Sequence, residues 1–283
     1  MSAAPSLRLS PVMEPENNMV ITLFAAGGTY ESGDHRSMHA LRKILEGDLV
    51  VVSVPYTDID SKIVVHLLGS PNHANELHPR GRGDSKLERG DSELERAFNK
   101  FEANHFAATW TRNQKMLPCL AVTTMNHSAA PNCVLDTLHA SGLTFVVVYA
   151  LCDIEPGAEL TIDYGPDYQG PGASCNAAAS CNATPIPAFA KSHIKSGIAK
   201  VVELIGANRH RIGMALRRQS IAITATGAVP FRPDGQPVQF VLKRDPVAAK
   251  EYFSCQLHDL DKVISGELPL ISFNLQKIEE LSH

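Results

Sequence analysis

No apolar run in this 283-residue chain is long enough to cross a bilayer. The longest, Leu143 to Leu151, is interrupted only by Thr144, whereas a spanning helix needs roughly 20 apolar residues. The segment Met1 to Asn18 has Pro and Glu where a signal peptide would carry its apolar stretch, so it reads as a flexible lead-in. A surplus of positive charge is also missing. The net charge of −4 excludes a uniformly basic coat for nucleic acid, although not a local basic patch. The six cysteines are scattered without a secretory context, which makes reduced thiols and a cytosolic or nuclear location the expectation. There is no internal repeat. Charged residues make up 20% and hydrophobic residues 44%, enough for a sizeable packed core and too apolar for wholesale disorder.

Along the chain, residues 19–30 and 44–56 are rich in β-branched residues broken by Gly and read as short strands. Residues 69–93 are polar, Gly-rich and balanced in charge, as expected of a surface insertion. A helix over 93–101 would put Leu94, Ala97, Phe98 and Phe101 on one face. Phe106–Trp110 and Leu117–Val122 bracket a second sheet region, and Leu143–Leu151 reads as a buried strand. Residues 166–188 are Pro, Gly, Ala and Ser with almost no charge. A linker is therefore placed at 169–188, ahead of a helix-containing region at 189–283 that runs through short strands to a last helix.

Two segments carry the chemistry. The first is Met125-Asn126-His127-Ser128-Ala129-Ala130-Pro131-Asn132-Cys133. The second begins sixteen residues on and runs from Ala150 to Gly165, containing Asp153-Ile154-Glu155-Pro156-Gly157 and Glu159-Leu160-Thr161-Ile162-Asp163-Tyr164-Gly165. Pro156-Gly157 predicts a turn with positive φ at the glycine.

This ordered pair resembles the C-terminal motifs NHSCxPN and xDIxxGEELTxDYG of the SET-domain protein-lysine methyltransferases. Ile44 to Val52 is similar to an early strand pair of the same family. The resemblance implies a mostly β fold with some α: short curled sheets and a C-terminal pseudoknot, here over residues 19–168, plus a smaller helix-containing C-terminal region. It implies an enzyme that transfers methyl groups from S-adenosylmethionine to a lysine of a protein substrate, such as a histone or other basic protein. Asn126 and His127 would then lie at the cofactor, and Tyr164 would be catalytic, its hydroxyl facing the methyl group and the lysine nitrogen. Asn104, in Asn104-His105-Phe106, resembles an N-x-F element that some members place against the cofactor. Asp163 reads as structural.

The departures from the pattern matter too. Ala129 replaces a cysteine that binds zinc in members with a Cys-rich tail, and Cys175 and Cys181 alone make a poor zinc site, so no metal is expected. The glycine-rich GxG element is not clearly present. Gly27-Gly28 lacks its spacing, and Gly81-Arg82-Gly83 sits in the charged insertion. Ile162 stands where many members carry an aromatic that limits the degree of methylation.

A rival reading remains open, that of an inert SET-like module binding protein or DNA through the basic segment 186–222. That segment holds seven Lys or Arg against one acid, Glu203. Val201–Ile212 there has the cadence of helix–turn–helix, with Arg209, Arg211, Arg217 and Arg218 on the second helix. The plainer alternative is a helical hairpin packed beside the core.

Overall fold

The computed structural model describes residues 10–11, 21–32, 35–54, 106–107, 115–116, 120–140, 143–164, 188–226 and 246–272. In order, the strands are β1 (Ser10–Pro11), β2 (Ile21–Ala25), β3 (Gly27–Ser32), β4 (His35–Ala40), β5 (Leu49–Val54), β6 (Phe106–Ala107) and β7 (Lys115–Met116). A single helical turn, α1 (Leu120–Thr123), leads into β8 (Asn126–His127). Then come β9 (Cys133–Ala140), β10 (Leu143–Ala150) and β11 (Thr161–Ile162). Three helices follow, α2 (Ala188–Ala207), α3 (Arg209–Thr226) and α4 (Pro246–Ser265), and then β12 (Ile271–Ser272).

The largest sheet has the order β12-β9-β10-β5-β2, and its neighbours are antiparallel. Strand β10 is its centre, paired with β9 from Leu143↔Ala140 to Ala150↔Cys133 and with β5 through Val146↔Ser53. All eight of its residues are buried, which explains why it reads as an unbroken apolar run and not as an alternation. The C-terminal helices pack against strands β2 and β9 of this sheet.

Helix α2 turns Gly197, Val201, Leu204 and Ile205 inward at the spacing of one helical face. Ile212 and Leu216 of α3, with Leu260 and Val263 of α4, join them in one hydrophobic cluster that also contains Val146, Val147 and Val148. Each such fully buried aliphatic side chain contributes roughly 1.5–3 kcal/mol. The last described strand, β12, then returns to pair with β9 as an edge of the same sheet.

One expectation is corrected here. Leu120–Val122 is not sheet but lies in the helical turn α1, which contacts β2 and β3 and buries Ala121 and Val122, because three consecutive apolar residues fit one turn as well as they fit a strand. The described part of the C-terminal region holds the helices α2, α3 and α4 and the strand β12, and residues 227–245 and 273–283 lie outside the described residues. The helices on either side of Asn208 do form as read, α2 ending at Ala207 and α3 starting at Arg209. The surface insertion at 69–93, the helix at 93–101 and all but the last residue of the linker lie outside the described residues.

Candidate active site

The two motif segments meet in a knot made of very short elements. Strands β8 and β11 run parallel with Thr161 opposite Asn126 and Ile162 opposite His127. Ser128 N donates to Ile162 O at 3.1 Å. Two-residue strands supply few ladder bonds, so side chains complete the junction. Asn132 does most of this. Its Nδ2 donates to Glu159 O at 2.8 Å, its Oδ1 accepts from Thr161 N at 2.8 Å, and its own N donates to Thr161 Oγ1 at 3.3 Å. Asn132 O also accepts from Leu151 N at 2.8 Å, tying the motif to the end of β10. The expected turn is present, with Gly157 at φ 82° after Pro156 and its N–H donating to Ala40 O at 2.8 Å. The same Gly157 offers its carbonyl to His39 Nδ1 at 2.8 Å, and Ser37 Oγ lies 2.9 Å from His39 Nε2.

Above this knot stand the side chains assigned from the sequence. Asn126 Nδ2 donates to Glu159 Oε1 at 2.6 Å and to Arg36 O on β4 at 3.3 Å. Both bonds engage the amide nitrogen. Among the described residues Asn126 Oδ1 meets no donor, and the side chain is half-buried, so an acceptor is held open at the surface of the site. His127 is nearly buried, and its Nδ1 accepts from Tyr164 N at 3.2 Å, which assigns the proton of the neutral ring to Nε2. Asp163 Oδ1 stands 3.7 Å from that same Nδ1, beyond hydrogen-bond range.

The Tyr164 hydroxyl donates to Met125 O at 2.5 Å, and its ring lies 5.5 Å from the His127 ring. Donation of its single proton to a carbonyl leaves the phenol oxygen facing other groups as an acceptor. The site is thus furnished with acceptors: Asn126 Oδ1, the Glu159 carboxylate and the Tyr164 oxygen. That set of acceptors fits a positively charged cofactor, since both an ammonium and a sulfonium seek oxygen neighbours.

Asn126 and His127 are therefore brought together with Tyr164, which lies thirty-seven residues beyond His127 in sequence. Asn104 lies outside the described residues, as do Cys175, Cys181 and Gly81–Gly83. Gly27-Gly28 is on β3, paired with Ala40 and His39, and the backbone that borders Asn126 is Arg36 of β4 instead. Ile162 is fully buried.

Sequence reasoning assigned no role to Asn132, Glu159 or Thr161, although all three stand in the quoted motifs. A polar Thr between Leu160 and Ile162, in a strand whose neighbours are core, was the available signal. The carbonyls of Arg36 and Met125 left no signal, because a backbone acceptor is independent of residue type. Beneath the knot, burial pushes the Cys133 thiol up to about 12, with Cys152 adding to the effect, so Cys133 is a packing residue.

Two of the basic-segment arginines are spent within the protein. Arg209 makes a two-pronged pair with Asp261 of α4 at 2.5 and 3.0 Å. Arg211 donates to Thr22 O at 3.1 Å and Asn208 Oδ1 at 3.2 Å. No described helix is long and apolar enough to cross a membrane.

An antiparallel sheet that ends in a parallel knot of two motifs is the arrangement of the SET domain. Residues 35–165 match the family model of that domain, and this part of the chain is a SET domain. Over 52 residues the chain is 46% identical to the histone-lysine N-methyltransferase ASHR3 of Arabidopsis thaliana. That match spans 18% of this chain and 10% of the relative's length. Among solved structures, a Plasmodium falciparum protein described as a candidate histone methyltransferase overlaps with 18% identity and a TM-score of 0.31, covering 50% of this chain and 95% of its own. The Neurospora SET domain protein DIM-5, a histone lysine methyltransferase, overlaps with 14% identity and a TM-score of 0.27, covering 48% of this chain and 50% of its own. Overlaps this loose carry no argument about function.

Proposed function

We propose that the chain is an S-adenosylmethionine-dependent protein-lysine N-methyltransferase whose site is the knot between β8 and β11. The observation that carries this reading is the joining of Asn126, His127 and Tyr164 across that knot, with Tyr164 N bonded to His127 and Tyr164 Oη to Met125 O. When bound, S-adenosylmethionine supplies a methyl group on a sulfonium, which a neutral amine displaces in line. The chain's own part is positioning. Asn126 Oδ1, its amide fixed by Glu159 and Arg36 O, would receive the ammonium of the cofactor's amino-acid end. His127 is locked by its bond to Tyr164 N and holds the backbone of β8 in place for the remainder of the cofactor. Tyr164 would present its oxygen to the methyl group and its ring to the alkyl stem of the lysine. No metal and no covalent intermediate enters this scheme.

The substrate we infer is a histone or similarly basic protein, in keeping with the name of the Arabidopsis relative. The domain division at 169–188 and a place for Asn104 at the cofactor belong to the same proposal. The test is transfer of labelled methyl from S-adenosylmethionine to core histones. The wild-type chain transfers label to lysine, and Tyr164→Phe lowers the rate by about a hundredfold or more, the scale of losing one positioned transition-state contact. Equal rates in the two proteins would sink the role of Tyr164.

A further inference from the structure

Away from the knot, where the 41–49 segment and β2 meet α2, the surface holds a cavity of about 360 Å³. That volume falls within the range of small-ligand sites, roughly 300–1,000 Å³. Phe24, Leu49 and Leu204 give it apolar walls, and Arg42, Lys200 and Asp48 are its charged lining. Gly197 of α2 forms another part of the wall, and no other residue fits there: a Cβ would stand 2.8 Å from Cε1 of Tyr149.

The hydrogen bonding around this cavity is unbalanced in one direction. Arg42 is exposed and, among the described residues, has no acceptor. The Tyr149 hydroxyl lies against Gly197, 3.5 Å from that same Cβ position, and is buried without any hydrogen-bond partner. Burial raises the Tyr149 pKa, so the group remains a neutral donor at ordinary pH. Among the described residues, the polar partner of Lys200 is Glu203 of its own helix, at 2.8 Å, an exposed pair that costs little to break. Asp48, the one acid of the lining, accepts from Leu45 N at 3.1 Å and so serves its own turn. The cavity lining therefore has one cation, Arg42, with no acceptor among the described residues, a second, Lys200, in a pair that is easily broken, a single anion, and apolar walls. The group that completes it is an anionic acceptor carried on an apolar body.

We propose that this cavity is a binding site for a small amphipathic carboxylate, its carboxylate held by Arg42 and Lys200 and its apolar body laid against Phe24, Leu49 and Leu204. The site is separate from the one assigned to methyl transfer and does not depend on that assignment.

The test titrates the full chain with octanoate by calorimetry while following the backbone amide resonances of Gly47 and Gly197. Octanoate is expected to bind saturably at one site and to shift both resonances. Octanamide, equal in shape but uncharged, is expected to bind at least about tenfold more weakly, as is octanoate to Arg42→Ala, since each loses a charge-assisted hydrogen bond. Lys200→Ala is expected to show a smaller loss in the same direction. The proposal is overturned if octanoate does not saturate, if octanamide binds equally well, or if Arg42→Ala binds octanoate like the wild type. Its circular dichroism and urea-unfolding midpoint, unchanged from wild type, show that Arg42→Ala remains folded.

Discussion

The central sheet and the knot, whose strands interleave along residues 126–162, are held together by opposite means. In β10 eight successive residues are buried, and each is replaceable in principle by another apolar side chain of similar volume. In the knot the strands are two residues long, and the contacts that matter belong to particular atoms: Asn132 Nδ2 and Oδ1, Glu159 Oε1, Tyr164 Oη. The sheet is held by area removed from water, which is large and tolerant. The knot is held by a few directed bonds, which are small in energy and intolerant of substitution. A site that positions two reactants within tenths of an ångström needs both, because it must rest on something that does not yield.

This contrast can be broken at either end. Phe145, fully buried in β10, should show the largest effect. Phe145→Ala is expected to cost about 3–5 kcal/mol in urea unfolding through lost transfer energy and the cavity left behind. A cost below about 1 kcal/mol would mean that the sheet is not the stabilising core.

Asn132→Ala comes next, with an expected loss of about 2–3 kcal/mol, since it strands Thr161 N and Glu159 O half-buried. Its signature should be functional, with S-adenosylmethionine binding failing while the circular dichroism of the sheet survives. Asn132→Asp sharpens the point, because it keeps the acceptor for Thr161 N but sets a carboxylate against a carbonyl. It should therefore also fail, although it is the smaller chemical change.

Smaller still is the difference between the cysteines. Cys133, whose thiol holds its proton up to about 12, should resist alkylation in the native protein, while the exposed Cys152 and Cys255 are modified. Mass spectrometry of modified peptides reads this directly, and rapid labelling of Cys133 would show that the knot opens. Smallest is Arg209→Ala. Its pair with Asp261 is exposed on both sides, so the unfolding midpoint is expected to stay at the wild-type value.

The same contrast explains what could be read from the sequence. The buried strand at 143–151 was legible because an uninterrupted apolar run bounded by turn residues has few other uses. The positive-φ glycine was legible because Pro-Gly is a turn with a mechanism, and Gly157 has φ 82°. That Asn126 and His127 meet Tyr164 was legible only from the two motifs taken together, never from their local surroundings. The short apolar run 120–122 was misread because three residues cannot distinguish a period of 2 from one of 3.6. What escaped altogether was the set of partners. That Asn126 bonds Glu159 and the Arg36 carbonyl follows from the crossing of segments distant in sequence, and no local pattern encodes it. Nor does the sequence of α2 announce that Gly197 is needed by the ring of Tyr149.

The central claim is that the knot holds S-adenosylmethionine through Asn126 and presents it to Tyr164. Calorimetric titration of the purified chain with S-adenosylmethionine, beside Asn126→Ala and Tyr164→Phe, tests it most directly. The account predicts saturable single-site binding by the wild type, its loss in Asn126→Ala, and its retention in Tyr164→Phe. Absence of binding to the folded wild type, or undiminished binding in Asn126→Ala, would contradict it.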